Sequence, residues 1–240
     1  MKLIISILAL FSVIAQSAII VNNKLVSDTM SVDIGKSLEF QDHENQEYTS
    51  LQFISIFEES GPYFKFDSTK AFPVKEVTSD YVSTSVFRRR DYFTFESTHM
   101  MFSRDTDYTN EKNQTMFYRK GGFRSSIHMT SWDFSSWSTG LSLQFDLQGS
   151  VSDVRKNIIH LDNLNIEFDS YCIADGQMME VTLKKGGKYY YLEFPTFTDD
   201  LFYEFTVTPK QPEENLVARI FRGLFMTIVS TFAICLVFYL

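Results

Sequence analysis

Along much of this chain the apolar residues recur with a period of two. Leu141, Leu143, Phe145 and Leu147 alternate with Ser142, Gln144 and Asp146, and Leu201, Tyr203, Phe205 and Val207 alternate with Phe202, Glu204 and Thr206. Successive side chains of a strand point to opposite faces, so each run describes a strand with one buried face. No stretch between Ala18 and Thr208 keeps a helical period over three turns, although residues 51–59 read as either strand or helix. The 24 Phe and 12 Tyr, with many β-branched residues, favour a folded sheet protein over a disordered stalk. The expected fold class is all-β.

Residues 178–183, the basic Lys184-Lys185-Gly186-Gly187-Lys188 and residues 189–194 read as a hairpin whose glycines supply a positive φ, with Pro195 ending the second strand. Gly35-Lys36-Ser37-Leu38-Glu39-Phe40 returns as Gly140-Leu141-Ser142-Leu143-Gln144-Phe145. Phe66-Asp67-Ser68 returns as Phe168-Asp169-Ser170, and Val86 to Phe95 matches the later basic hairpin. This shared order predicts two tandem antiparallel β-sandwich-like domains, 18–107 and 113–208, each of about 100 residues. The polar segment 103–112 would join them.

The two ends differ from the middle. Lys2 precedes an uncharged apolar stretch, 3–15, that is too short to span a bilayer, and Ala15 and Ser17 suit a signal peptidase. Residues 1–17 are therefore expected to be a signal peptide cleaved before Ala18. Residues 223–240 carry no charge and would make a hydrophobic helix about 27 Å long, apolar on all sides. Arg219 and Arg222 precede this tail, where a span with an external ectodomain would want basic residues on its far side. Two readings stand: a membrane span, or a signal exchanged for a glycolipid anchor, with Asn215 as the attachment candidate and 209–222 as the stalk. Either places the middle region outside the cytosol, at the cell surface and membrane-attached.

The net charge is −8, and the end segments hold Lys2, Arg219 and Arg222, so the region between is more acidic still. That argues against nucleic acid as a partner. Of the two cysteines, Cys235 lies in the tail, which leaves Cys172 without an internal partner. It reads as a small buried hydrophobe, or as a thiol that pairs two chains into a dimer. Asn113-Gln114-Thr115 is a glycosylation sequon.

Catalytic spacings are lacking. Gly140-Leu141-Ser142-Leu143-Gln144 has no second glycine to make a nucleophile elbow and sits in an alternating strand. His43, His99, His128 and His160 never fall three or four apart, so no helical zinc motif exists. Asp105 with Asp107, and Asp199 with Asp200, offer oxygen ligands for Ca²⁺ but read more simply as solvated loop charges. Arg88-Arg89-Arg90 could meet a sulfated glycan, an anionic lipid or an acidic protein patch; otherwise it is a solvated hairpin tip that blocks edge pairing. Trp132, Phe134 and Trp137 lie among serines and suit either sugar stacking, at Trp132 and Trp137, or a sheet core.

Phe168-Asp169, Cys172, Asp175-Gly176, the strand ending Tyr191-Leu192-Glu193-Phe194, and Thr198-Asp199-Asp200-Leu201-Phe202-Tyr203-Glu204-Phe205 follow one another in an order that resembles the closing strands of CUB and CUB-like domains. The resemblance implies a β-sandwich of the exported or surface-anchored nematode type, linked to defence, and at most Asp175 and Asp199 as cation ligands. The expected function is a non-catalytic recognition or adhesion module for an extracellular protein or glycan. An extracellular hydrolase whose acids meet only in three dimensions, or a coat or matrix protein, are the alternatives.

Overall fold

The structure is a computed structural model that describes residues 18–43, 46–59, 61–66, 71–90 and 93–210. The expected leader 1–17, the spacer beyond residue 210, Asn215 and the tail 223–240 lie outside the described residues. Among the described residues no helix is long and apolar enough to cross a membrane.

The fold is all-β, built on two large antiparallel sheets. Sheet A begins with β1 (Ile19–Val21), β2 (Lys24–Val26), β3 (Met30–Ile34), β4 (Leu38–Asp42), β5 (Tyr48–Phe57) and β6 (Tyr63–Lys65). The chain then enters sheet B through β7 (Ala71–Val77), β8 (Tyr81–Arg90) and β9 (Phe93–Phe102). A separate hairpin, β10 (Thr106–Thr109) and β11 (Thr115–Tyr118), precedes β12 (Phe123–Thr130) of sheet B and β13 (Leu141–Gln148) of sheet A. Sheet B resumes with β14 (Val151–Arg155), β15 (Ile158–Leu161), β16 (Leu164–Phe168), β17 (Tyr171–Ala174) and β18 (Gln177–Glu180). Finally β19 (Thr182–Gly186) and β20 (Tyr189–Phe194) return to sheet A, and β21 (Asp200–Pro209) closes sheet B.

Strand order is β1-β2-β3-β4-β5-β13-β20-β19 in sheet A and β14-β15-β16-β21-β12-β9-β8-β7 in sheet B. The two halves expected as separate domains therefore share both sheets. Phe53 and Gln52 of β5 pair with Phe145 and Asp146 of β13, while Phe95 of β9 pairs with Met129 of β12. One hydrophobic core runs through both halves, and the described residues up to Pro209 form one compact unit. The matched segments explain part of this. Gly35 to Phe40 and Gly140 to Phe145 supply β4 and β13, which both pair with β5, but the two basic hairpins end in different sheets.

The alternating runs sit as their pattern requires. Leu141, Leu143 and Phe145 point inward from β13, and Leu201, Tyr203, Phe205 and Val207 from β21. Residues 51–57 resolve as strand β5. Aromatic contacts bind the layers: Phe53 meets Phe95 at 5.8 Å and Phe205 at 6.5 Å, and Phe145 meets Phe168 at 5.2 Å. Each fully buried Phe is worth about 1.5–3 kcal/mol relative to exposure.

The 178–194 hairpin differs from expectation in its first arm. Residues 177–180 pair with β17 in sheet B, and the chain crosses to sheet A at buried Val181. Gly186 pairs with Tyr189, so Lys184 and Lys185 lie in the strand and the turn closes on Gly187, at φ 62°, and Lys188. Strand β20 ends at Phe194, before Pro195.

Candidate binding cleft

The outer face of sheet A is laid out by the same alternation that buries its inner face. Phe57 from β5, Ser142 and Gln144 from β13, Tyr191 and Glu193 from β20, and Thr182 and Lys184 from β19 all lie off the inward positions. Their side chains interlock. Ser55 donates to Gln144 Oε1 at 2.8 Å, Gln144 Nε2 donates to the Tyr191 hydroxyl at 3.4 Å, and Lys184 pairs with Glu193 at 2.6 Å. The Tyr191 ring meets Phe57 edge-on at 6.4 Å, and Phe57 in turn lies 6.1 Å from Tyr63.

At one end of this face lies a cleft of about 810 Å³. Trp137 and Tyr191 line it together with Glu58, Glu59, Glu180, Glu193, Lys184 and Lys185. Gly140 lines it too, and a Cβ there would stand 2.1 Å from the Phe194 carbonyl oxygen, so only glycine lets the loop after Trp137 pass so near β20.

Glu58 anchors that loop. It accepts from the Trp132 indole N–H at 3.0 Å and from the Ser135 N–H at 3.2 Å. Burial pushes its carboxyl up, but the hydrogen bonds from Trp132, Ser138 and Ser135 outweigh this and hold its pKa below the usual carboxylate value. The cleft thus gathers carboxylates, yet this buried one is ionised and committed to holding Trp132 and the loop.

The two tryptophans have opposite fates. Trp132 is 7% exposed and packs edge-on against Phe93 at 4.7 Å, so it belongs to the core and not to a ligand surface. Phe134 packs against Phe197 at 5.3 Å. Trp137 is 69% exposed, in a turn closed by the Ser138 N–H to Ser135 carbonyl bond.

The arginine run is also split. Arg88 is half-buried, with its guanidinium 5.7 Å from the Phe66 ring centre, and burial lowers its pKa. Arg89 is exposed, and Arg90 ends β8 opposite Phe93. Arg88 therefore does not join a uniform basic tip.

Asp175 is turned onto the backbone of the segment that carries Asp199. The Asp175 carboxylate accepts the N–H groups of Asp199 at 2.8 Å, Thr198 at 2.7 Å and Asp200 at 3.2 Å, and these bonds, that of Asp199 foremost, lower its pKa. Among the described residues no three His, Cys, Asp or Glu gather as metal ligands. Cys172 is wholly buried in the core, which pushes its thiol up to about 12. A disulfide through it would require the sheet to open. Asn113 is exposed, with φ 56°, in the turn between β10 and β11.

Part of the outer face of sheet B, around Arg124 and Glu204, is covered by that same hairpin. Arg124 of β12 is 0% exposed. Its Nε donates to Glu204 at 2.9 Å, its Nη2 bonds both Glu204 and Glu111, and its guanidinium lies 5.0 Å from the Tyr108 ring. Burial pulls the Arg124 pKa down, but the charges of Glu204 and Glu111 outweigh it and raise it. Asn110 donates to Glu204 at 2.5 Å, and the Lys112 ammonium, 2% exposed, pairs with Asp169. Segment 103–112, expected as an interdomain join, is instead the start of a covering flap.

Sequence patterning alone did not single out Phe57, Tyr191, Glu193 or Lys184 as a site, because they converge from strands far apart in the chain. The available signal was their outward register. Fold and cleft together define a two-sheet antiparallel β-sandwich-like protein with an aromatic-bearing cleft on the outer face of sheet A. No family model matches the chain, and no curated protein matches it either.

Proposed function

We propose that this chain is an exported, surface-attached recognition module that binds its extracellular ligand, without catalysis, in the cleft on the outer face of sheet A. The carrying observation is Trp137, a large aromatic left 69% exposed beside Tyr191 in a structured cleft. Exposed aromatics at a concave site with a few polar groups are the usual make-up of a ligand contact. Residues 1–17 would direct export, and 223–240 would hold the chain at the membrane, either as a span or through a glycolipid on Asn215. The CUB-like resemblance of the second half carries the same expectation of surface display, with a role in defence. A glycan on Asn113 fits its exposed turn.

Expression of the full chain with a tag at residue 210 tests the export half of this. Surface staining and loss of residues 1–17 are expected, and an intracellular product that keeps Met1 would overturn it. Release by a phosphatidylinositol-specific phospholipase supports the glycolipid, and resistance supports the span. For the recognition half, Trp137→Ala should abolish attachment of the chain to fixed cells and to an extracellular protein panel. Unchanged attachment would move the ligand contact away from the cleft.

A further inference from the structure

Resting on the cleft as the recognition surface, we infer that its ligand is a neutral oligosaccharide chain, held by stacking on Trp137 and Tyr191 and by hydrogen bonds to the carboxylates around them. Three observations converge on this. First, the aromatic surface comes from separate elements: Trp137 stands in a loop and Tyr191 lies on β20, and polar residues share the lining with them. A peptide side chain seeks an apolar pocket. A sugar presents apolar C–H faces ringed by hydroxyls and suits separated aromatic plates among polar groups.

Second, the charged groups of the lining are mostly carboxylate acceptors. Glu59 and Glu180 are exposed at the cleft, and Glu193 lines it two positions after Tyr191 on β20. Carboxylates accept from the hydroxyl pairs of a sugar ring without needing a cation. Third, the cations in the cleft are already engaged. Lys184 pairs with Glu193 at 2.6 Å, and the Lys185 ammonium lies 5.4 Å from the Tyr190 ring centre. With four glutamates against two lysines along the lining, the cleft repels sulfated, uronic and sialylated chains. Arg88 and Arg89, the basic residues that would attract such chains, do not line it.

The test is an array of immobilised chito-, cello-, laminari- and manno-oligosaccharides beside heparin-derived and sialylated chains, probed with the full-length protein. Retention on at least one neutral series is expected, weakened at least about tenfold by Trp137→Ala, as for the loss of one aromatic stacking contact. Tyr191→Phe, which keeps the stacking ring, should leave it unchanged, whereas Glu193→Gln should weaken it several-fold while the thermal transition stays in place. Retention only on sulfated or sialylated chains would overturn the inference, as would neutral binding that survives Trp137→Ala. Loss of protein-panel attachment in Trp137→Ala, with no neutral glycan retained, would overturn the sugar assignment and leave the recognition surface standing. A chain whose attachment to every probe ignores Trp137 would overturn both.

Discussion

The two outer faces of this sandwich have been handled in opposite ways. On sheet B, the β10–β11 flap covers Arg124 and Glu204, and every charge beneath it has a partner of opposite sign or a hydrogen-bonding amide. On sheet A, Trp137 is exposed and Tyr191 half-buried beside the exposed Glu59 and Glu180. Burying charge is costly unless it is paired, so sheet B needs its network to stay folded. An exposed aromatic contributes little to folding, so Trp137 is free to serve a ligand.

The largest separation between the faces should come from single substitutions. Arg124→Ala leaves Glu204 buried without its main partner and should cost about 3–5 kcal/mol in a denaturant titration at pH 7. Replacing the pair by apolar residues, Arg124→Met with Glu204→Leu, should recover most of that loss. If Arg124→Ala were as mild as a surface change, the flap would not be sealing charge.

The next effect is set by pH. His99 is buried, receives or gives a hydrogen bond at Ser125 Oγ over 3.0 Å, and burial, with Arg88 nearby, lowers its pKa to about 3. Between pH 6.5 and about 3 the unfolded chain binds a proton there that the folded chain does not. Stability from this group is therefore full above pH 6.5 and falls as pH drops, by about 1.4 kcal/mol per pH unit. His99→Gln should remove that slope, as read from unfolding midpoints between pH 7 and 4.

Glu58 acts in the same direction at lower pH. Its lowered pKa gives stability that is present above its unfolded value near 4.5 and lost as pH falls through the folded value. Glu58→Gln should cost about 1–3 kcal/mol at pH 7, because charged acceptors hold the Trp132 and Ser135 donors more strongly than an amide does. It should also raise the exposure of Trp132 fluorescence to quencher.

The smallest effects on stability belong to exposed positions. Asn113→Gln should cost about 1 kcal/mol or less, because Asn tolerates the φ of 56° in this turn better than Gln does, and in exported protein it should remove the mass of one glycan in an intact-mass measurement. An unchanged mass would mean that the sequon is not used.

Strands whose other side is solvent were legible from their alternation, as β13 and β21 show. Strand β12 was less so. Arg124 is a charged residue at an outward position of the strand, yet it is buried, because the flap that precedes β12 folds over it and supplies Glu111 and Tyr108. Charges in 104–112 read as linker for the same reason: Glu111 and Lys112 look solvated until Arg124 and Asp169 are placed beside them. The apparent duplication located true strands but not their partners, since pairing is a property of the whole sheet. For the tryptophans, residues 131–140 form a loop, so no alternation could say which of Trp132 and Trp137 faces inward. Glu58, which decides it, comes from the other half of the chain.

That contrast makes quenching of tryptophan fluorescence decisive, because the chain has 2 Trp, one buried and one exposed. In the full-length protein, acrylamide should quench one fraction readily and one poorly, and Trp137→Phe should delete the accessible fraction. Adding the neutral oligosaccharide retained on the array should shield the accessible fraction in the wild-type chain. Shielding of neither tryptophan by a bound sugar, at saturation, would contradict the placement of the ligand on the open face of sheet A.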